Sequence, residues 1–133
     1  MSRITAIDHI VLKSADVERS LAFYTDALGL EPLRVEEWRK GEVRFPSVRI
    51  SGATIIDLFP TDDPSGPAEG QQLDHFCLVL ERGALDEVLA KVESFGLEPG
   101  PKQSRWGAQG RGESSYVAGP EGVTIELRHY PDA

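Results

Sequence analysis

Apolar and polar positions divide the first half of the chain into a strand, a helix and three further extended segments. Residues 4–12 form an apolar run that ends at a polar pair, which is typical of a strand. Apolar residues then recur at helical spacing through 14–29, where Ser14 or Asp16 can cap the helix and Gly29 can end it. The extended segments that follow, with a turn sequence between the last two, are 30–38, 41–50 and 53–59.

The same order of elements restarts after a segment rich in proline, glycine and aspartate. A strand is predicted over 72–81, and a helix over 83–96 carries an apolar stripe that Gly96 ends. Extended segments are then expected at 97–102, 113–119 and 122–130, with a turn sequence before the last.

Three sequence landmarks recur in the same order, which indicates an internal duplication. His9 and His75, each preceded by Asp, are 66 residues apart, and the word "GLEP" recurs after 67 residues. Asp57 and Glu126, in similar apolar strands, are 69 residues apart. We therefore expect one domain of two βαβββ modules, 4–60 and 71–129, joined by a linker at 61–70.

Composition limits the function classes open to this chain. Its 133 residues suffice for one domain, and 40% apolar with 27% charged residues is ordinary for a globular protein. Neither a membrane span nor a signal-peptide core is found, and the single cysteine excludes an internal disulfide, so a cytoplasmic location is expected. The net charge of −8 argues against nucleic-acid binding.

Four polar residues interrupt the first and last strands of the two modules. Because strand side chains alternate between faces, His9 shares a face with Val11, and His75 shares one with Cys77, which we expect to be a small core residue. An unpaired carboxylate in an apolar strand is costly, so Asp57 and Glu126 need partners. If a pseudo-twofold axis relates the modules, the four side chains lie around one point. Two imidazoles and two carboxylates form a ligand set suited to zinc, nickel, manganese or iron.

Three stretches give the chain a family resemblance: "DHIVLKSADVERSLAFYTDALGLEP", "LDHFCLVL" and "SSYVAGPEGVTIEL". They resemble the vicinal oxygen chelate superfamily, which includes glyoxalase I, bleomycin-resistance proteins, fosfomycin-resistance enzymes and extradiol dioxygenases. The resemblance implies an α+β fold with two tandem βαβββ modules forming a cupped mixed sheet. It also implies one divalent metal per site, with His9, His75 and Glu126 as ligands and Asp57 as fourth ligand or base. The catalytic residues expected are Glu126, Asp57 and Tyr116.

The sequence motifs specify the fold more closely than they specify the reaction. Glyoxalase I-like lyase or isomerase chemistry, on a small substrate chelated through vicinal oxygens, fits the His/acid/His/Glu set. The dioxygenase alternative lacks the further histidines of that family, because Pro60 and Gly107 occupy the nearest positions and His129 is expected at a fraying end.

Charge is the basis of two more candidate functions. A fosfomycin-type transferase would need cations, which a predicted glycine-rich loop over 102–113 could offer as Lys102, Arg105 and Arg111, with Trp106 stacking on the ligand. A bleomycin-resistance-type protein would bind a cationic drug without catalysis, and the net charge of −8 suits such a ligand. Trp38 could line the drug-binding crevice, or it could have a packing role on an edge strand. The expected partners are a small-molecule substrate or drug and a second copy in a homodimer, with neither nucleic acid nor membrane.

Overall fold

The computed structural model of the chain describes residues 7–62, 75–107 and 109–132. The chain divides into two compact units, Met1–Gly66 and Pro67–Ala133. Of the predicted linker, only Thr61 and Asp62 lie within the described residues, as do only the later parts of the strands predicted from residues 4 and 72. Among the described residues, no helix is long and apolar enough to cross a membrane.

The first module is a four-stranded mixed sheet with strand order β1-β4-β3-β2. Strand β1 (His9–Ser14) pairs in parallel with β4 (Ile55–Pro60), whereas β3 (Ser47–Arg49) pairs antiparallel with β4 and with β2 (Glu31–Leu33). The helical segments are α1 (Val17–Ala22), a π-helical turn (Phe23–Ala27) and α2 (Val35–Arg39).

Helix α1 begins at a side-chain cap and covers one face of this sheet. The Asp16 carboxylate accepts a hydrogen bond from the Arg19 backbone N–H, which satisfies one of the free donors at the helix start. Helix α1 contacts β4, and the module buries an apolar core. Its buried members from the helical segments and the sheet are Val17, Leu21, Phe23, Tyr24, Val48, Ile56 and Leu58.

The second module repeats the sheet with order β5-β8-β7-β6. Strand β5 (Phe76–Val79) pairs in parallel with β8 (Thr124–His129), and β7 (Gly110–Ala118) pairs antiparallel with β8 and with β6 (Gln103–Gly107). Helix α3 (Leu85–Ser94) contacts β8. Its predicted apolar stripe is confirmed, because Leu85, Leu89 and Val92 are buried. Both modules thus confirm the predicted α+β architecture.

Two segments differ from their predicted extended conformation. Residues 35–39 form helix α2, so the prediction of Trp38 on an edge strand was wrong. Arg34 takes a left-handed conformation (φ 60°) that turns the chain, and Glu36 and Glu37 then favour the helix start through its positive end. Of the strand predicted over 41–50, only Ser47–Arg49 forms, because only these residues have sheet partners on both sides.

Two further differences lie in module 2. The prediction of an extended segment at 97–102 as a strand of the sheet was wrong, because the strand that joins the sheet is Gln103–Gly107. The prediction of a glycine-rich loop over 102–113 was wrong as well. These residues form most of the β6–β7 hairpin, in which Gly107 pairs with Gly110. Gly107 and Gly110 therefore lie in paired strands rather than in a long loop.

Candidate functional site

In module 1, the polar side chains predicted for the site share one sheet face. Val11 pairs with Asp57 in the parallel register, and Asp57 pairs with Ser47 on its other side. Directly paired residues point to the same side of a sheet, and His9 is two residues from Val11 on the same strand. His9, Ser47 and Asp57 therefore project from the face opposite helix α1.

The His9 ring is exposed, although the sequence pattern predicted a histidine within an apolar surrounding. Its side chain is 48% accessible, and its neighbours on this face, Ile7 and Val11, are 64% and 50% accessible. His9 Nδ1 lies 2.8 Å from Asp8 Oδ2. This hydrogen bond raises the pKa of His9 above its ordinary value of 6.5. It also leaves Nε2 as the ring nitrogen available to a ligand.

Asp57 is buried and hydrogen-bonded at one oxygen. The Ser47 hydroxyl donates to Asp57 Oδ1 over 2.7 Å, and both residues are buried. A neutral donor satisfies part of the acceptor capacity of a carboxylate without cancelling its charge. Asp57 therefore presents a hydrogen-bonded carboxylate on this face, and it interacts electrostatically with His9.

In module 2, Glu126 lies between a cation and a histidine. The Arg128 Nη2 donates to Glu126 Oε2 over 2.8 Å, and both side chains are almost fully buried, at 3% and 6% accessibility. Glu126 Oε1 lies 3.3 Å from His75 Nε2. The carboxylate thus has one oxygen on Arg128 and the other toward His75.

A serine also reaches the Glu126 carboxylate. Burial raises the pKa of Glu126, but hydrogen bonds from Arg128 and Ser114 outweigh this effect and hold the pKa below its ordinary value. Ser114 and Ser47 are both fully buried and are 67 residues apart, the offset of the "GLEP" repeat. The sequence pattern did not predict this serine–carboxylate pair, although comparing the two modules at that offset would have aligned the two serines.

Tyr116 and Arg105 extend the same network across module 2. The Tyr116 ring meets the His75 ring edge to face with centroids 5.2 Å apart, and the Arg105 guanidinium lies 4.4 Å from the centroid of Tyr116. Arg105 Nη1 also donates to the Ser114 hydroxyl over 3.0 Å and to the Ser114 backbone carbonyl over 2.7 Å. One sequence-predicted catalytic residue and one predicted substrate-binding residue are therefore brought together.

The remaining residues predicted to bind an anion are not part of this network. Arg111 Nη1 donates to the backbone carbonyl of Ser104, and Lys102 forms a salt bridge with Asp86. The side chain of Trp106 lies outside the described part of the structure. Of the predicted cationic cluster, only Arg105 contacts the site residues.

Two smaller predictions were wrong. Cys77 is exposed rather than a core residue, and burial of part of its thiol together with the Glu126 charge raises its pKa. His129 is buried within β8 rather than at a fraying end. Its Nδ1 accepts from the Gly83 backbone N–H and its Nε2 lies 3.0 Å from Glu113 Oε1, so both ring nitrogens have structural partners.

Each module presents one histidine and one carboxylate on one face of its own sheet. Within neither module do the described residues bring three His, Cys, Asp or Glu side chains together as a metal site. Two ligands of a tetrahedral zinc ion, each about 2.0–2.2 Å from the ion, lie roughly 3.3–3.6 Å apart. The 3.3 Å between His75 Nε2 and Glu126 Oε1 therefore suits two ligands of one ion. The Asp8–His9 contact likewise resembles the hydrogen bond that orients metal-binding histidines.

Each module therefore combines a four-stranded mixed sheet with helices, and each carries a histidine and a buried carboxylate on one face of its own sheet. The family model of the Glyoxalase/Bleomycin resistance protein/Dioxygenase superfamily matches residues 6–127. The chain therefore belongs to this superfamily, as its sequence motifs predicted.

Two curated relatives match this chain over at least 90% of its length. A virulence protein of Salmonella typhimurium is 26% identical over 132 residues, which cover 96% of this chain and 85% of the relative. A probable lactoylglutathione lyase of Synechocystis is 27% identical over 124 residues, which cover 90% and 91% of the two chains.

Crystal structures with the same fold include several proteins of this superfamily. A glyoxalase/dioxygenase from Nostoc punctiforme has a TM-score of 0.73 at 21% identity and covers 99% of each chain. A lactoylglutathione lyase from Agrobacterium tumefaciens has a TM-score of 0.60 at 20% identity and covers 96% of each chain. At these identities the likeness shows the fold alone.

Proposed function

We propose that this protein is a metal-dependent enzyme with glyoxalase I-like lyase or isomerase chemistry on a small substrate chelated through vicinal oxygens. The proposed ligands to one divalent metal (zinc, nickel, manganese or iron) are His9, Asp57, His75 and Glu126. The observation that carries the proposal is the 3.3 Å separation of His75 Nε2 and Glu126 Oε1, with a corresponding histidine and serine-bound carboxylate in module 1. The curated lactoylglutathione lyase relative supports the reaction class.

In this proposal, the residues of the site have separate roles. A bound divalent cation would stabilise negative charge that develops on a substrate oxygen. Asp57, held by neutral Ser47, is proposed as fourth ligand or as the carboxylate that moves a proton. Tyr116, which contacts His75, completes the proposed catalytic set with Glu126.

Substrate binding is proposed at the β6–β7 hairpin. Arg105 places a guanidinium beside Tyr116, and a guanidinium suits a carboxylate or another anionic group of a substrate. Trp106 and Arg111, on the same hairpin, are proposed as substrate contacts from the sequence alone, since Arg111 donates to the Ser104 carbonyl and not to the site residues. A homodimer in the cytoplasm is part of the same proposal.

The first test is the metal content of protein purified without added metal, measured by elemental mass spectrometry together with protein concentration. We expect about one zinc, nickel, manganese or iron per chain. The variant His75→Ala should lose tight metal binding while keeping its circular dichroism spectrum. The control Glu113→Gln removes a charge from the opposite face of the same sheet and should keep its metal. Full metal occupancy in His75→Ala would refute the site.

The reaction class is tested with the metal-loaded protein. A 2-oxoaldehyde with glutathione should yield the 2-hydroxyacyl thioester, followed by its absorbance, if the chemistry is glyoxalase-like. Metal uptake without this reaction would keep the site and reject this substrate.

The second candidate is a non-catalytic protein that binds a cationic drug, as in bleomycin resistance. The net charge of −8 favours it. A protein that takes up no metal, yet binds bleomycin in calorimetry, would establish this second candidate and reject the enzyme. The dioxygenase and transferase functions have weaker support, since His129 is engaged in structural contacts. Of the predicted cations Lys102, Arg105 and Arg111, only Arg105 contacts site residues in the described part of the chain.

A further inference from the structure

The Arg128 guanidinium is held from several directions by module 2. In addition to its bond to Glu126, its Nη1 donates to the Tyr130 hydroxyl over 3.2 Å and to the Arg105 backbone carbonyl over 3.4 Å. It also forms a hydrogen bond with the Cys77 thiol. A charge with only 3% of its side chain accessible to solvent is retained only where its hydrogen bonds are supplied in this way.

Gly112 on β7 provides the space that this guanidinium occupies. Arg128 pairs with Ser114 on β7, whereas the carbonyl it reaches belongs to Arg105 on β6, which pairs with Gly112. The side chain therefore crosses β7 at Gly112. A Cβ atom added there would lie 3.3 Å from Arg128 Nη1 and 2.7 Å from the His129 backbone oxygen. The missing side chain at residue 112 makes the crossing feasible.

The same arrangement does not occur in module 1. At the offset that relates Glu126 to Asp57, the residue corresponding to Arg128 is Phe59. Asp57 is bonded by a neutral serine, whereas Glu126 is bonded by a serine and a buried cation. The two repeated carboxylates are therefore unequal, and Arg128 accounts for the difference.

We propose that Arg128 is a positioning residue that holds Glu126 Oε2, presents only Oε1 toward His75, and ties this carboxylate to the strand that carries Arg105. The inference rests on the proposed function, because it makes Glu126 a ligand through one oxygen. A carboxylate that uses one oxygen leaves an additional position at an ion for substrate. Removing Arg128 frees Oε2 and lets the Glu126 side chain rotate.

The test compares full-length Arg128→Met and Arg128→Lys with Arg19→Met, a control that removes the same charge from an exposed site on α1. In metal-free protein at fixed pH, two-dimensional nitrogen–proton NMR spectra of the histidine rings report the His75–Glu126 contact. We expect the His75 ring signals to move in both Arg128 variants, to stay in the control, and the His9 signals to stay in all three.

Zinc affinity and the visible spectrum of the cobalt-substituted protein are then measured on the same variants. We expect Arg128→Met to bind zinc about 10–100-fold more weakly and to alter the cobalt spectrum, with a smaller loss in Arg128→Lys, because partners that orient metal ligands have effects of this size. Unmoved His75 signals in a folded Arg128→Lys or Arg128→Met protein would overturn the inference. If the wild-type protein binds neither metal, the proposed function fails, and the His75 signals alone still decide the role of Arg128.

Discussion

The Arg128 guanidinium donates to the Glu126 carboxylate, two residues away on β8, over 2.8 Å and with both side chains buried. An exposed pair of the same length, Arg39 Nη2 to Glu18 Oε1, occurs on module 1 with accessibilities of 46% and 55%. The two pairs differ in burial rather than in bond length. Removing one partner of the buried pair leaves a charge that water cannot reach, whereas removing one partner of the exposed pair does not.

We therefore expect Glu126→Gln, measured as metal-free protein, to lower the free energy of unfolding by about 3–5 kcal/mol. Glu18→Gln should lower it by about 0–1 kcal/mol. The double variant Glu126→Leu with Arg128→Met removes both charges and should be more stable than Glu126→Gln alone. Urea unfolding followed by circular dichroism measures all three. Equal losses in the buried and exposed variants would contradict the assignment of the buried pair.

His9 should titrate above its ordinary pKa of 6.5 because its ring donates to the Asp8 carboxylate. A raised folded-state pKa stabilises the fold below the unfolded-state value, and this contribution disappears as the pH rises through the folded-state value. Ring-proton NMR of metal-free protein from about pH 5 to 9, which spans the ordinary histidine value, measures the pKa. Asp8→Asn should return it toward 6.5. An unchanged His9 titration in Asp8→Asn would show that another group causes the shift.

Gly112→Ala should destabilise module 2, because the new methyl group would lie 2.7 Å from the His129 backbone oxygen. We expect a loss of about 1–3 kcal/mol in the free energy of unfolding, the usual range for overpacking. Gly52 has open space around it and no left-handed backbone, so Gly52→Ala should change stability by less than about 0.5 kcal/mol. Equal urea midpoints for the two variants would mean that β7 moves to accept the methyl group.

His129 joins the start of helix α3 to the sheet through the Gly83 N–H and Glu113. Replacing His129 by Ala leaves a backbone donor and a carboxylate without this partner, which should cost about 1–3 kcal/mol. Hydrogen exchange should show faster exchange at Gly83 in the variant, while amides in β1 keep their protection. Unchanged exchange at Gly83 would show that the hydrogen bond does not limit local opening.

Most of the element order follows from local pattern. The α3 stripe and the helix capped by Asp16 depend on residues close in sequence, so their spacing predicts them directly. The β6–β7 hairpin was missed because its glycines resemble a loop, and only pairing with β8 through β7 makes residues 103–107 a strand. Helix α2 was missed because five residues with one proline nearby carry too little periodic signal.

The candidate site likewise has features that the sequence determined and features that only the tertiary structure decided. The repeat in the sequence determined which histidines and carboxylates correspond, and the family motifs determined the superfamily, because both are properties of residue order. Only the tertiary structure decided that Ser47 and Ser114 bond those carboxylates, that Arg128 neutralises one and not the other, and that His9 is exposed. These relationships join residues on different strands or depend on burial. They arise only once strand register and packing fix which side chains meet and which remain in water.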